Sequence, residues 1–151
     1  MTPAARLQAS IDILDDLVVR RRPAADALKD WGLAHRFAGS KDRAAIASLV
    51  YDALRRKASA AWLMGADDAR SIMLGALRSI RAMTEESVAD LCSGDRFAPR
   101  LLSDRERGRL RVDPATALAG APDPVAGDFP EWLAPHLARR FSDTLLPEAQ
   151  A

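Results

Sequence analysis

Residues suited to covalent or acid–base chemistry are sparse in this chain, and most of its reactive side chains are cationic. His35 and His136 are its two histidines, far apart in sequence, and neither stands in a serine or cysteine context that marks a nucleophile. Cys92 is the one cysteine, so it closes no intrachain disulfide and anchors no multi-cysteine metal site. Asp15–Asp16, Asp67–Asp68 and Glu85–Glu86 are carboxylate pairs in sequence only. Adjacent residues on a helix point in different directions, so these read as solvated charges or as charges at helix N-termini. Gly39-Ser40-Lys41 lacks the further glycines and the preceding strand of a phosphate cradle. Taken alone, the chain reads as a non-enzyme with no metal and no cofactor of its own.

The basic residues survive this screen. Arg20, Arg21 and Arg22 form one cluster, Arg36, Lys41 and Arg43 a second, and Arg55, Arg56 and Lys57 a third. All lie within residues 1–60, which carry 11 Lys/Arg against 7 Asp/Glu, whereas 61–100 and 101–151 have balances of −1 and −2. Some of these cations complement helix C-termini, but three clusters exceed what helix ends require. Each phosphate they neutralise releases condensed counterions, which makes them a candidate RNA footprint. Arg43 shares a stripe with Ala47, Val50 and Leu54, which predicts part-burial and a pairing with Asp26 or Asp52. Trp31, Phe37, Tyr51 and Trp62 fall at core positions, so backbone and shape recognition is expected rather than base reading.

The elements that must hold these clusters are helices. Ser40 reads as the N-cap of a helix over about 41–57, in which Ile46, Leu49, Val50, Ala53 and Leu54 make an apolar stripe. Before it, Thr2-Pro3 opens a helix carrying Leu7, Ile11, Leu14, Leu17 and Val18, which Pro23 ends. Ala24, Leu28 and Trp31 face the core from the next helix. After it come an apolar segment closed by Gly65, a helix opened by Asp67 and Asp68, and one opened by Thr84. Ser103 and Glu106 match a capping box at the head of a short helix carrying Arg105, Arg107, Arg109 and Arg111. Six of the nine prolines follow residue 110, so 112–130 reads as a Pro/Gly-rich linker and 131–151 as a further helix. The expected fold is an all-α bundle over 1–111, with no strand signal anywhere.

The stretch SKDRAAIASLVYDALRRKASAAW resembles a helix of the NusB-like domain that opens many bacterial ribosomal-RNA cytosine-C5 methyltransferases. The resemblance continues upstream through RPAADALKDWGLAHRFAGSKDRAAI and, more thinly, downstream to DFPEWLAPHLARRF, so it spans nearly the whole chain. It implies an all-helical module that binds ribosomal RNA and positions a catalytic domain using S-adenosylmethionine. That domain's two motif cysteines have no counterpart here, and Cys92 stands in an unrelated DLCSGD context. The chain therefore reads as an N-terminal fragment whose remaining partner is its own methyltransferase domain. Stand-alone NusB antiterminators carry an arginine-rich N-terminus, whereas this one has a single Arg before residue 20. The alternatives are such an antitermination factor, or a helical protein-interaction module. No apolar run approaches the ~20 residues of a membrane helix, and no signal peptide opens the chain, so the expected setting is cytoplasmic.

Overall fold

The computed structural model describes residues 1–122 and Val125, and among these the fold is all-α, with eight helices. Helix α1 (Pro3–Arg20) starts where Thr2 accepts a hydrogen bond from the Ala5 N–H at 3.1 Å, with Pro3 at the first position. Leu7, Ile11, Leu14 and Leu17 are buried as their spacing requires, and Ala9 and Ile13 widen the stripe. Arg21 closes the helix in the left-handed region (φ 53°), and Pro23 caps α2 (Ala24–Ala34).

The central helix departs from the sequence reading at both ends. In α3 (Ser40–Arg55) the cap is Gly39, Ser40 is the first helical residue, and the Asp42 carboxylate accepts from the Gly39 N–H at 3.3 Å. An ionised carboxylate at the third position satisfies an end donor and faces the positive end of the helix dipole, so the Ser40 hydroxyl is not needed. The helix does not run on to Lys57. It breaks at Arg56, and Lys57 opens α4 (Lys57–Met64). Lys57 therefore sits at the positive end of a new helix rather than the negative end of the old one.

Gly65 (φ 66°) ends α4, and the Asp68 carboxylate caps α5 (Ala69–Ser79). Thr84 caps α6 (Glu85–Leu91), and the Ser103–Glu106 box opens α7 (Asp104–Arg111) with both reciprocal bonds, at 3.1 and 2.9 Å. Helix α5 is the hub. Every residue from Ala69 to Leu77 is buried, and α1, α3, α4, α6 and α7 all pack on it. A helix enclosed on all sides has no polar face to spare, so its one buried cation is paired. Arg70 meets Glu106 through Nε at 2.8 Å and Nη2 at 3.1 Å, and Nη2 also donates to the Arg100 and Leu101 carbonyls. Gly75 is what lets α4 lie this close, because a Cβ there would stand 2.5 Å from the Ala60 carbonyl oxygen.

The stretch read as linker contains a helix, α8 (Pro114–Ala119). Asp113 caps it through the Thr116 N–H at 3.2 Å, Pro114 occupies its first turn, and the Trp62 indole N–H donates to the Ala117 carbonyl at 3.1 Å. A cap, a proline at the start and three alanines suffice for a turn or two once α4 offers a surface. The packed unit thus runs past residue 111. Residues 123–124 and 126–130 of the expected linker, and the expected helix over 131–151, with His136, lie outside the described residues.

Candidate nucleic-acid interface

Three helices bring the second basic cluster to one end of the bundle. Asp42, at the head of α3, pairs with Arg6 (2.7 Å) and the N-terminal amine (3.7 Å), so the starts of α1 and α3 lie side by side. These bonds, that to Arg6 foremost, hold the Asp42 carboxyl below its ordinary value. Helix α2 returns alongside α1 and delivers the loop carrying Arg36 to the same end, where the Arg43 side chain lies 3.7 Å from the position of a Cβ on Gly32. Arg36, Lys41 and Arg43 are all exposed, and none has a carboxylate partner among the described residues. Arg43 is thus neither buried nor paired as its stripe suggested. Asp52 is taken by Arg55 (3.0 Å) and Arg81 (3.0 Å), which leaves Arg43 to lie along the small side of α2.

The first cluster stands elsewhere. Arg20 lies about 21 Å from Arg6 along the axis of α1 at 1.5 Å per residue. There Arg20 pairs with Asp16 at 3.2 Å, and Arg22 is held by both Asp16 (2.8 Å) and Asp30. The bond to Asp30, and then that to Asp16, raises the Arg22 pKa. Arg22 fastens α1 to α2; Arg20 and Arg21 are both exposed, and Arg21 has no carboxylate partner among the described residues. In the third cluster Arg55 is paired, Arg56 is half-buried at the break between helices, and Lys57 is exposed. Sequence proximity grouped nine cations; of those exposed and without a carboxylate partner among the described residues, the fold places Arg36, Lys41 and Arg43 at one end, with Arg21 and Lys57 apart from them.

The arginines of α7 serve the fold. Arg109 donates to the Leu63 and Trp62 carbonyls (both 2.7 Å) and Arg105 to that of Gly65 (2.8 Å), satisfying acceptors at the C-terminal end of α4. Arg107 and Arg111 both pair with Glu85, and the bonds, that from Arg111 foremost, hold its carboxyl below the ordinary value. Burial pushes the Cys92 thiol up, leaving it a poor nucleophile.

The aromatic expectation is corrected. Phe37 is 73% exposed, Tyr51 45% and Trp62 39%, while Trp31 is half-buried. The α3 stripe turns Tyr51 outward, and Phe37 falls in the loop beyond α2, where helical spacing no longer governs direction. His35 caps α2: its N–H and Nδ1 both meet the Trp31 carbonyl, its ring stacks on Trp31 (4.3 Å, 11°), and Phe37 meets it edge-on at 5.9 Å. Across a groove of about 540 Å³ stand Phe97, 69% exposed, and Arg96, whose guanidinium lies 4.8 Å from that ring. Sequence reading passed over Arg96 and Phe97. Their one signal is an aromatic between Gly94 and Pro99, the punctuation of a tight loop.

Among the described residues no three or more His, Cys, Asp or Glu side chains gather to hold a metal, and no helix is long and apolar enough to cross a membrane. No family model, curated protein or solved structure matches this chain.

Proposed function

We propose that this chain is an RNA-binding helical domain of the NusB-like kind, which positions an S-adenosylmethionine-dependent cytosine-C5 methyltransferase on small-subunit ribosomal RNA. One observation carries the reading: Arg36, Lys41 and Arg43 converge at the α1–α3 end, exposed and without carboxylate partners among the described residues. Cations that fasten the fold, such as Arg22 and Arg109, have partners to satisfy. Those that do not are the ones able to exchange solvent for phosphate. Their spread over a loop and a helix start suits a folded RNA backbone better than a regular duplex groove. The methyl donor and the bond-forming chemistry belong to the separate catalytic domain of the same polypeptide. This domain contributes effective concentration: tethering makes the catalytic encounter intramolecular, at about millimolar for a short linker.

The test is a titration of small-subunit ribosomal RNA across a salt series. Arg36→Gln, Lys41→Gln and Arg43→Gln together should weaken binding and flatten the log–log salt slope by roughly 0.7–0.9 for each phosphate no longer neutralised. Reversing charge at Arg55, Arg56 and Lys57 should do less, because Arg55 is already paired and that cluster lies at the other end of α3. An unchanged slope in the first variant removes this end from the footprint. Wild-type protein with no salt-sensitive RNA binding would leave a helical protein-interaction module instead.

A further inference from the structure

The groove beside the basic end has features that phosphate binding does not explain. On one side Trp31, His35 and Phe37 form a connected ring stack whose outermost member is largely exposed. On the other, Phe97 sits at φ 70°, a left-handed conformation that a bulky residue adopts only at a cost. The loop that imposes it is tightly tied: the Gly94 N–H donates to the Pro99 carbonyl at 3.0 Å, the Ala98 N–H donates to that of Asp95 at 2.9 Å, and Pro99 is buried. A strained backbone holding an aromatic ring out toward solvent, opposite a second exposed ring, is a built feature rather than a leftover of packing.

We propose that this groove holds an unpaired nucleobase of the bound RNA, stacked on Phe37 and closed over by Phe97 with Arg96. This rests on the RNA-binding reading and names the chemistry that the cations cannot supply. The charges favour a base over a phosphate. The groove lining includes Asp12, whose carboxylate is steadied by Gln8 Nε2 at 2.8 Å, so an anion entering there meets a like charge. An exocyclic amino group meets an acceptor. Arg96 is part of the same groove and Arg36 directly precedes Phe37, so cations are placed for the phosphates on either side of a flipped-out base. Each base has a π-face, so stacking captures an unpaired nucleotide with little sequence demand, and a duplex, whose bases are already stacked, offers nothing to the groove.

The experiment is fluorescence anisotropy with the full chain and two labelled probes, a 10-nucleotide single-stranded oligo(A) and the 10-base-pair oligo(A)·oligo(U) duplex, at several salt concentrations. Phe37→Ala and Phe97→Gly serve as variants, glycine removing the strain along with the ring, and thermal melts confirm the fold. Each should raise the single-strand Kd by roughly 5- to 150-fold, the usual range for one stacked base, leaving the duplex Kd and both salt slopes unchanged. Equal losses on both probes overturn the base site. Unchanged single-strand binding with a normal salt slope also overturns it, leaving the RNA reading intact and turning the groove toward an apolar peptide. Wild-type protein that binds neither probe overturns the base site, and the RNA-binding reading then stands or falls on the salt-dependent titration of small-subunit ribosomal RNA.

Discussion

Replacing Gly75 by alanine sets two physical effects against each other. Local propensity favours the change, because alanine in a helix interior is about 0.5–1 kcal/mol better than glycine. The packing opposes it. The new Cβ would lie 2.5, 2.8 and 2.9 Å from the oxygen, Cα and carbonyl carbon of Ala60, all of them backbone of α4. No side chain can rotate away, so the oxygen must recede by about 0.9 Å to pass from 2.5 Å to the 3.4 Å at which ordinary contact begins. Overpacking typically costs about 1–3 kcal/mol, and a backbone-on-backbone clash in the hub helix belongs at the upper end. The net expectation is a loss of about 2 kcal/mol, or roughly 8 °C in Tm at about 4 °C per kcal/mol for a domain of this size. Urea and thermal unfolding followed by far-UV circular dichroism measure it. Gly108→Ala is the internal control: nothing lies within 4 Å of a Cβ there, so the propensity term acts alone and the variant should gain up to about 1 kcal/mol. Gly75→Ala as stable as wild type would refute the close α4–α5 contact.

Three further outcomes follow from particular side chains. Glu106→Gln leaves Arg70 buried beside a neutral partner and should cost about 3 kcal/mol in urea unfolding. Burial alone would push the Glu106 carboxyl up, but bonds from Arg70 and the Ser103 N–H outweigh it and hold the pKa below its ordinary 4.5. The stability from that shift is complete above about pH 4.5 and is lost as pH falls through the lowered folded value, so the variant should show a shallower acid limb. Asp113→Ala removes the cap of α8 and should cost that helix about 1 kcal/mol, read as faster amide exchange at Thr116 and Ala117 with little change in global Tm. Leu49→Ala empties a buried site and should lose about 2–5 kcal/mol, with half-buried Leu54→Ala clearly less. Equal losses would mean that the α3 face is turned differently.

What the sequence determined by itself was local. Thr2, Asp68, Thr84 and Ser103 open helices because a side-chain acceptor three residues from an unpaired N–H is a short-range fact. Gly65 closes one because glycine tolerates the left-handed region. The period of Leu7, Ile11, Leu14 and Leu17 named a buried face without naming its neighbour. What only the tertiary structure decided is which cations are left over. Nine basic residues looked alike along the chain: Arg20 and Arg55 pair with Asp16 and Asp52 one helical turn away, and Arg22 reaches Asp30 because α2 folds back on α1, while Arg36, Lys41 and Arg43, like Arg21 and Lys57, have no carboxylate partner among the described residues. Spacing placed Phe37 in the core, and the turn after α2 put it in solvent beside Phe97, sixty residues away. The demand for a glycine at position 75 is likewise invisible in sequence, since it arises from the backbone of another helix. Caps and stripes depend on neighbours within one or two helical turns, whereas a charge or ring becomes available for binding only after every long-range partner has been assigned.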